Sequence, residues 1–300
     1  MKDVGHLYQI ISWENEPNEM ALWIDEVRKE CGFKFKWTCN WHDINSIRLN
    51  SADLEEIKIF RKADGFVFVS DPCQLHSQEL YDFKQPSVVF EHFCNEEWDG
   101  YTNYTPGKED IERRHGIVYQ GGLNPGAHLA DPAQRDMFKY RTIYPYFKEA
   151  VAQGNEVIIY AGNPAGYETH LDIGATVFPP TQYDKLITEM QQYKWGWCLF
   201  GSKGDRQTEK TLPNKAWEYC KAGMPIIICW ADETARYFSD LGVAIVLDHP
   251  KELGNIEEQY GHLYPKLKER VDEINMSGSE DSENHIWKIE SLWQKVLDNG

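Results

Sequence analysis

Lys215 and Glu218 stand three residues apart in Pro213-Asn214-Lys215-Ala216-Trp217-Glu218-Tyr219-Cys220-Lys221-Ala222-Gly223-Met224-Pro225, which runs directly into the apolar stretch Ile226-Ile227-Ile228-Cys229. An i, i+3 spacing puts both charges on one face of a short helix. The Pro-Asn pair can start that helix, with Asn214 as its cap. Ala222-Gly223 can end it, because glycine tolerates the left-handed conformation of a helix exit. Lys215 then falls in the first turn, beside backbone N–H groups that have no partner within the helix. Cation and amides together make a compact anion site suited to a diphosphate, while Glu218 can accept hydrogen bonds from ribose hydroxyls one turn later. A solvated helical face carrying a weak ion pair has the same spacing.

Three further loops carry candidate ligands. Gly121-Gly122-Leu123 follows an apolar run, and glycine there lets a backbone approach a phosphate that a side chain would keep away; a plain strand-to-loop turn reads the same way. Gly201-Ser202-Lys203-Gly204-Asp205-Arg206 precedes the Lys215 segment and offers Lys203 and Arg206 to phosphate, or is simply a polar loop. In Thr38-Cys39-Asn40-Trp41-His42-Asp43, His42 ends an apolar run where it can hydrogen bond or transfer a proton near neutral pH, or serve as a turn histidine beside a helix-capping aspartate. The ten histidines are dispersed, with no HExxH, clustered Cys/His or GxSxG, so the sequence shows no metal site and no hydrolase elbow.

The elements that must position these residues alternate along the chain. From residue 116 onward, apolar runs at 116–120, 156–160, 175–178, 196–200, 225–229 and 243–247 are separated by helical stretches including 136–153, 183–193 and 234–241. Strands apolar on both faces predict a parallel sheet covered by helices, a doubly wound α/β domain whose loops gather at one edge. Residues 1–115 repeat the pattern in shorter form, at 7–12, 35–39, 65–69 and 87–90. Residues 254–283 are polar and read as a linker around Ser277-Gly278-Ser279-Glu280-Asp281-Ser282. Residues 284–297 carry Ile286, Ile289, Leu292, Trp293 and Val296 at helical spacing and predict an amphipathic helix.

Composition excludes several classes. The net charge of −17 is spread evenly, with 13 Lys and Arg against 22 Asp and Glu in residues 1–115 and 18 against 26 in the remainder. Neither half is a basic module, which weighs against nucleic acid or anionic lipid as the main partner. No apolar run approaches the roughly 20 residues that span a bilayer, and the N-terminus has no basic region followed by an apolar one, so the expectation is a cytoplasmic protein without a transmembrane segment. Seven cysteines without a CxxC pair predict mostly buried thiols.

The pattern PNKxxEYxxAGxP resembles the nucleotide-sugar site of glycosyltransferases with the GT-B fold, in particular family 4. The resemblance implies two Rossmann-like domains: a shortened acceptor-side domain at 1–115, a donor-binding domain at 116–275, and a helix at 284–300 that packs back on the first. It implies hexosyl transfer from a nucleoside-diphosphate sugar, of the UDP or GDP type, to an acceptor hydroxyl, without metal or other cofactor. Lys215 would neutralise the leaving diphosphate and Glu218 would hold the ribose, with Gly121, Gly122, Lys203, Arg206 and Asn214 around the donor. The nucleobase would lie at Pro180, Thr181 and Tyr183. TCNWHDINSIR resembles the segment in which a histidine, here His42, faces the donor sugar. The spacing fits retention and inversion alike, and the resemblance favours retention. The chain departs from the family in two places. The expected strand and glycine loop before residue 7 are missing, and Lys210 stands where many members have a glutamate, with Glu209 adjacent. Two other readings therefore stay open. One is a catalytically weak subunit that binds nucleotide or a partner chain completing the first domain; the other is an enzyme whose acceptor is a modified DNA base.

Overall fold

The computed structural model describes residues 10–13, 17–31, 36–41, 44–91, 113–123, 139–201 and 203–298. The chain divides into two compact units, Met1–His92 with Glu280–Gly300, and Phe93–Ser279.

In the first unit, β1 (Ile10–Trp13), β2 (Lys36–Trp41), β3 (Gly65–Phe68) and β4 (Ser87–Val89) form a parallel sheet in that order. Two of the helices between them start on side-chain caps: Asp53 accepts from the Glu55 and Glu56 amides ahead of the Leu54–Lys62 helix, and Ser70 accepts from the Cys73 amide ahead of Asp71–Tyr81. One face of the sheet buries Trp37, Cys39, Phe66 and Phe68 with Phe60 and Phe83. On the other, Val67, Val88 and Phe90 meet Ile289, Leu292 and Val296. Gly65 permits that approach, since a Cβ there would lie 2.7 Å from Val296 Cγ2.

Those last three residues belong to a helix that runs from Tyr264 to Asp298, straight through the segment expected to be a linker. Polarity is not a helix breaker, and the single Gly278 costs only about 1 kcal/mol against alanine. Apolar anchors at both ends outweigh it: Tyr264 and Val271 are buried in the second unit, Leu292 and Val296 in the first.

In the second unit, β5 (His115–Gly121), β6 (Val157–Ala161), β7 (Thr176–Phe178), β8 (Tyr193–Cys198), β9 (Ile226–Cys229) and β10 (Ala244–Leu247) are all parallel, in the order β7-β6-β5-β8-β9-β10. This is the doubly wound order of dinucleotide-binding folds, with the chain reversing direction between β5 and β8. Hydrophobic layers cover both faces. β8 starts three residues earlier than its apolar run suggests, because Lys194 joins it by ion pairing with Glu257 at the surface while Tyr193 and Trp195 are buried. No helix among the described residues is long and apolar enough to cross a membrane.

Gly196 in β8 lies beneath Tyr219, and a Cβ there would sit 2.3 Å from Tyr219 Cγ. Gly196→Ala is therefore expected to destabilise the chain by about 1–3 kcal/mol through overpacking, read as a lower urea midpoint at unchanged m-value.

Candidate functional site

The helices that follow the adjacent strands β5 and β8, Tyr144–Ala152 and Asn214–Lys221, pack on opposite faces of the sheet, which opens a crevice at the carboxyl ends of these strands, at the reversal point. Gly121, the last residue of β5, takes φ of 135°, a conformation side chains other than glycine rarely adopt. The Asn214–Lys221 helix packs on one sheet face, where Ala216, Trp217 and Tyr219 join Val118 and Tyr160. Lys215 reaches from it over the end of β5, where the side chains of the two sheet faces meet. There its Nζ donates to Tyr119 Oη at 3.0 Å and lies 4.2 Å from the Tyr119 ring centroid and 5.3 Å from that of Phe200. Gly121 leaves room for this crossing: a Cβ on it would be 3.1 Å from Lys215 Nζ.

Glu218, one turn along the helix, accepts a hydrogen bond from the Gln120 side-chain amide. Tyr219 fixes the helix to the sheet, its hydroxyl accepting from the Gln120 backbone N–H at 2.9 Å and donating to the Trp197 carbonyl at 3.2 Å. Burial pushes the Tyr219 hydroxyl well above the usual phenol range, so it stays neutral and keeps its donor.

The glycine loop is held from the β6 side. The Gly162 amide donates to the Gly121 carbonyl at 2.7 Å, and the Leu123 amide donates to Asn163 Oδ1 at 3.0 Å. Arg141, in the short 3₁₀ turn Lys139–Arg141, brings its guanidinium to about the distance of a contact with Gly122: a Cβ there would lie 3.3 Å from Arg141 Cζ. One edge thus carries two cations, Lys215 and Arg141, around a glycine turn, with a carboxylate behind them.

The candidate residues are distributed as follows. Gly121, Gly122, Lys215 and Glu218 come together. Asn214 does not cap its helix; Pro213 holds the cap position with extended dihedrals, and Asn214 is the exposed first residue. The first turn takes no side-chain cap, which leaves it open to an outside acceptor. Lys203 and Arg206 are exposed on the segment between β8 and that helix, Arg206 opening a short helix to Lys210 that Asp205 caps. Pro180, Thr181 and Tyr183 follow β7, two strands from β5, with Tyr183 exposed at the start of the Tyr183–Met190 helix. Lys221 Nζ stands 6.0 Å from the Tyr183 ring centroid, linking this helix to that of Lys215. His42 lies outside the described residues. Sequence reasoning missed Tyr119, Gln120, Asn163 and Arg141.

A second concavity, a hollow of about 1040 Å³ in the first unit, is lined by Arg28, Lys36, Lys62 and Lys84 among others. It lies at the amino ends of the strands, and these cations are spent on acids: Arg28 and Lys36 on Asp64, Lys62 on Asp25, Lys84 on Asp82. No group of three or more potential metal ligands occurs among the described residues.

No protein-family model matches the chain, and no curated protein matches it. Solved structures do. Sucrose-phosphate synthase from Thermosynechococcus elongatus superposes with a TM-score of 0.67 at 12% identity, over 100% of this chain and 76% of that one. The fold is GT-B. Anabaena HepE, in a complex with UDP, gives 0.61 at 11% identity over 99% and 79% of the two chains, and a glycosyltransferase from Rickettsia africae gives 0.57 at 11% over 95% and 82%. At these identities the GT-B likeness speaks for the path of the backbone, and the chemistry has to be argued from side chains.

The two loop glycines should respond differently to substitution. Gly121→Ala is expected to cost about 1–3 kcal/mol because its φ is unfavourable to any side chain. Gly122→Ala should cost well under 1 kcal/mol, since the neighbour it meets is the movable end of Arg141. Urea unfolding of both variants checks the contrast.

Proposed function

We propose that the protein is a nucleotide-sugar-dependent glycosyltransferase that moves a sugar from a nucleoside diphosphate to an acceptor hydroxyl with retention of configuration. The observation that carries this reading is Lys215 held over Gly121 at the reversal point of the sheet, with Glu218 one turn behind it. The likeness to HepE, whose structures hold UDP and, in one case, glucose, supports it.

The donor diphosphate would lie over Gly121-Gly122 against the uncapped first turn of the Asn214–Lys221 helix, between Lys215 and Arg141. Glu218, oriented by Gln120, would accept from the ribose hydroxyls. When the bond between the anomeric carbon and the phosphate oxygen breaks, the electron pair goes to the diphosphate, and Lys215 and Arg141 offset the charge that develops. The acceptor oxygen bonds to the anomeric carbon, and its proton passes to the leaving phosphate. Two side-chain cations, Lys215 and Arg141, take the part a metal ion would otherwise play, so the proposed reaction is metal-independent. The loop with Lys203 and Arg206 and the Pro180–Tyr183 segment are assigned to the outer donor and the nucleobase, and His42 to the donor sugar.

A thermal-shift panel of UDP, GDP, ADP, CDP and dTDP tests the donor site. One of them is expected to raise the unfolding temperature, since a ligand at 100 times its Kd adds about 2.7 kcal/mol. No response from any of the five would overturn the assignment. Lys215→Ala should unfold at the wild-type midpoint without ligand and bind the responding diphosphate at least tenfold more weakly. His42→Ala should keep that binding and lose most transfer; full transfer would return His42 to a turn. Binding with no transfer to any acceptor would favour the nucleotide-binding subunit, to which Lys210 at the usual glutamate position already points.

A further inference from the structure

Tyr119 belongs to the opposite sheet face from the helix that carries Lys215, is buried, and sets its ring edge-on to Phe147 with centroids 5.1 Å apart. Its hydroxyl lies at the carboxyl end of β5, between Lys215 and the Gly121-Gly122 turn. It accepts the Lys215 proton at 3.0 Å and donates its own to the Gly122 carbonyl at 3.3 Å. A phenol has one proton and lone pairs to spare, so one oxygen serves both contacts. Lysine has a flexible four-carbon stem, and on an open helix face its ammonium samples many positions. Here the stem crosses Gly121, and the ammonium rests on the Tyr119 ring with Phe200 beside it. Among the described residues only one of its three N–H groups is committed to a hydrogen bond, which leaves two to face an anion.

We propose that Tyr119 is the positioning residue for Lys215, its hydroxyl joining the lysine and the Gly121-Gly122 turn into one preformed diphosphate cradle. The proposal rests on the donor-site reading above. Preorganisation means that the ordering of Lys215 is settled before the ligand arrives, so the gain appears as affinity for the diphosphate group and not for the base or ribose. The hydroxyl also couples the two halves of the cradle, because a shift of the turn at Gly122 moves the oxygen that holds the ammonium.

The test is a double-mutant cycle read by calorimetric titration of the full chain. Tyr119→Phe keeps the ring and removes the hydroxyl. Against the nucleoside diphosphate that stabilises the wild type, it should bind about tenfold more weakly, the scale of one hydrogen bond to a charged group. Affinity for the matching nucleoside, which has no phosphate, should not change. In a Lys215→Met background the same substitution should have no further effect. The proposal is overturned if Tyr119→Phe binds the diphosphate as tightly as the wild type, if nucleoside and diphosphate affinities fall together, or if the loss persists in Lys215→Met. Unfolding midpoints are measured alongside, and a Tyr119→Phe chain that does not fold overturns it in favour of a purely structural hydroxyl. Failure of the donor site itself looks different: Lys215→Met and wild type would then bind the diphosphate alike, or neither would bind.

Discussion

The Asn214–Lys221 helix lies close on the sheet because Gly196 has no side chain and Tyr219 fills the space above it. From there the Tyr219 hydroxyl spans two strands, taking the Gln120 amide of β5 and giving its proton to Trp197 of β8. These are the strands between which the order reverses, so one buried side chain fixes the helix to the place where the crevice opens. Everything at the site follows from that register. Lys215 is one turn before Tyr219 and clears the end of β5, while Glu218 is its immediate neighbour and meets Gln120.

The other end of the helix is tied to the other end of the same strand. Arg114, just ahead of β5 and buried, donates through one guanidinium nitrogen to the Ala222 and Gly223 carbonyls at 3.0 and 2.9 Å. A cation there satisfies terminal carbonyls and complements the negative end of the helix dipole. β5 therefore holds the helix at both ends, through Arg114 at its start and through Tyr119 and Gln120 at its finish. A site clamped in this way can present a cation and a carboxylate at fixed positions without drawing on ligand binding to order them.

Much of this was legible in the sequence, and what escaped did so for identifiable reasons. Glycines after an apolar run and charges inside an apolar segment stand out from their surroundings, which is why Gly121, Gly122, Lys215 and Glu218 could be named. Tyr119 and Gln120 stand in a strand whose apolar character marks burial, and nothing in their spacing says that the tyrosine oxygen reaches the edge. Arg141 falls in the 136–153 stretch expected to be one helix, whereas it ends a 3₁₀ turn ahead of the helix Tyr144–Ala152, and only the tertiary fold brings it to Gly122. Asn214 looked like a cap because asparagine usually is one, but Pro213 already has the extended conformation a cap needs, with φ of −74° and ψ of 142°. The long C-terminal helix was hidden by a polar middle that its anchored ends carry along.

The central claim is that a donor diphosphate binds at the carboxyl end of β5. A crystal structure of the chain with the nucleoside diphosphate that stabilises it tests this most directly. The account predicts phosphate oxygens within about 3 Å of Lys215 Nζ and of the backbone at Gly121-Gly122, with the ribose against Glu218. A diphosphate bound elsewhere, for example among the basic side chains of the first unit's hollow, with Lys215 still resting on Tyr119 and no phosphate near it, would contradict it.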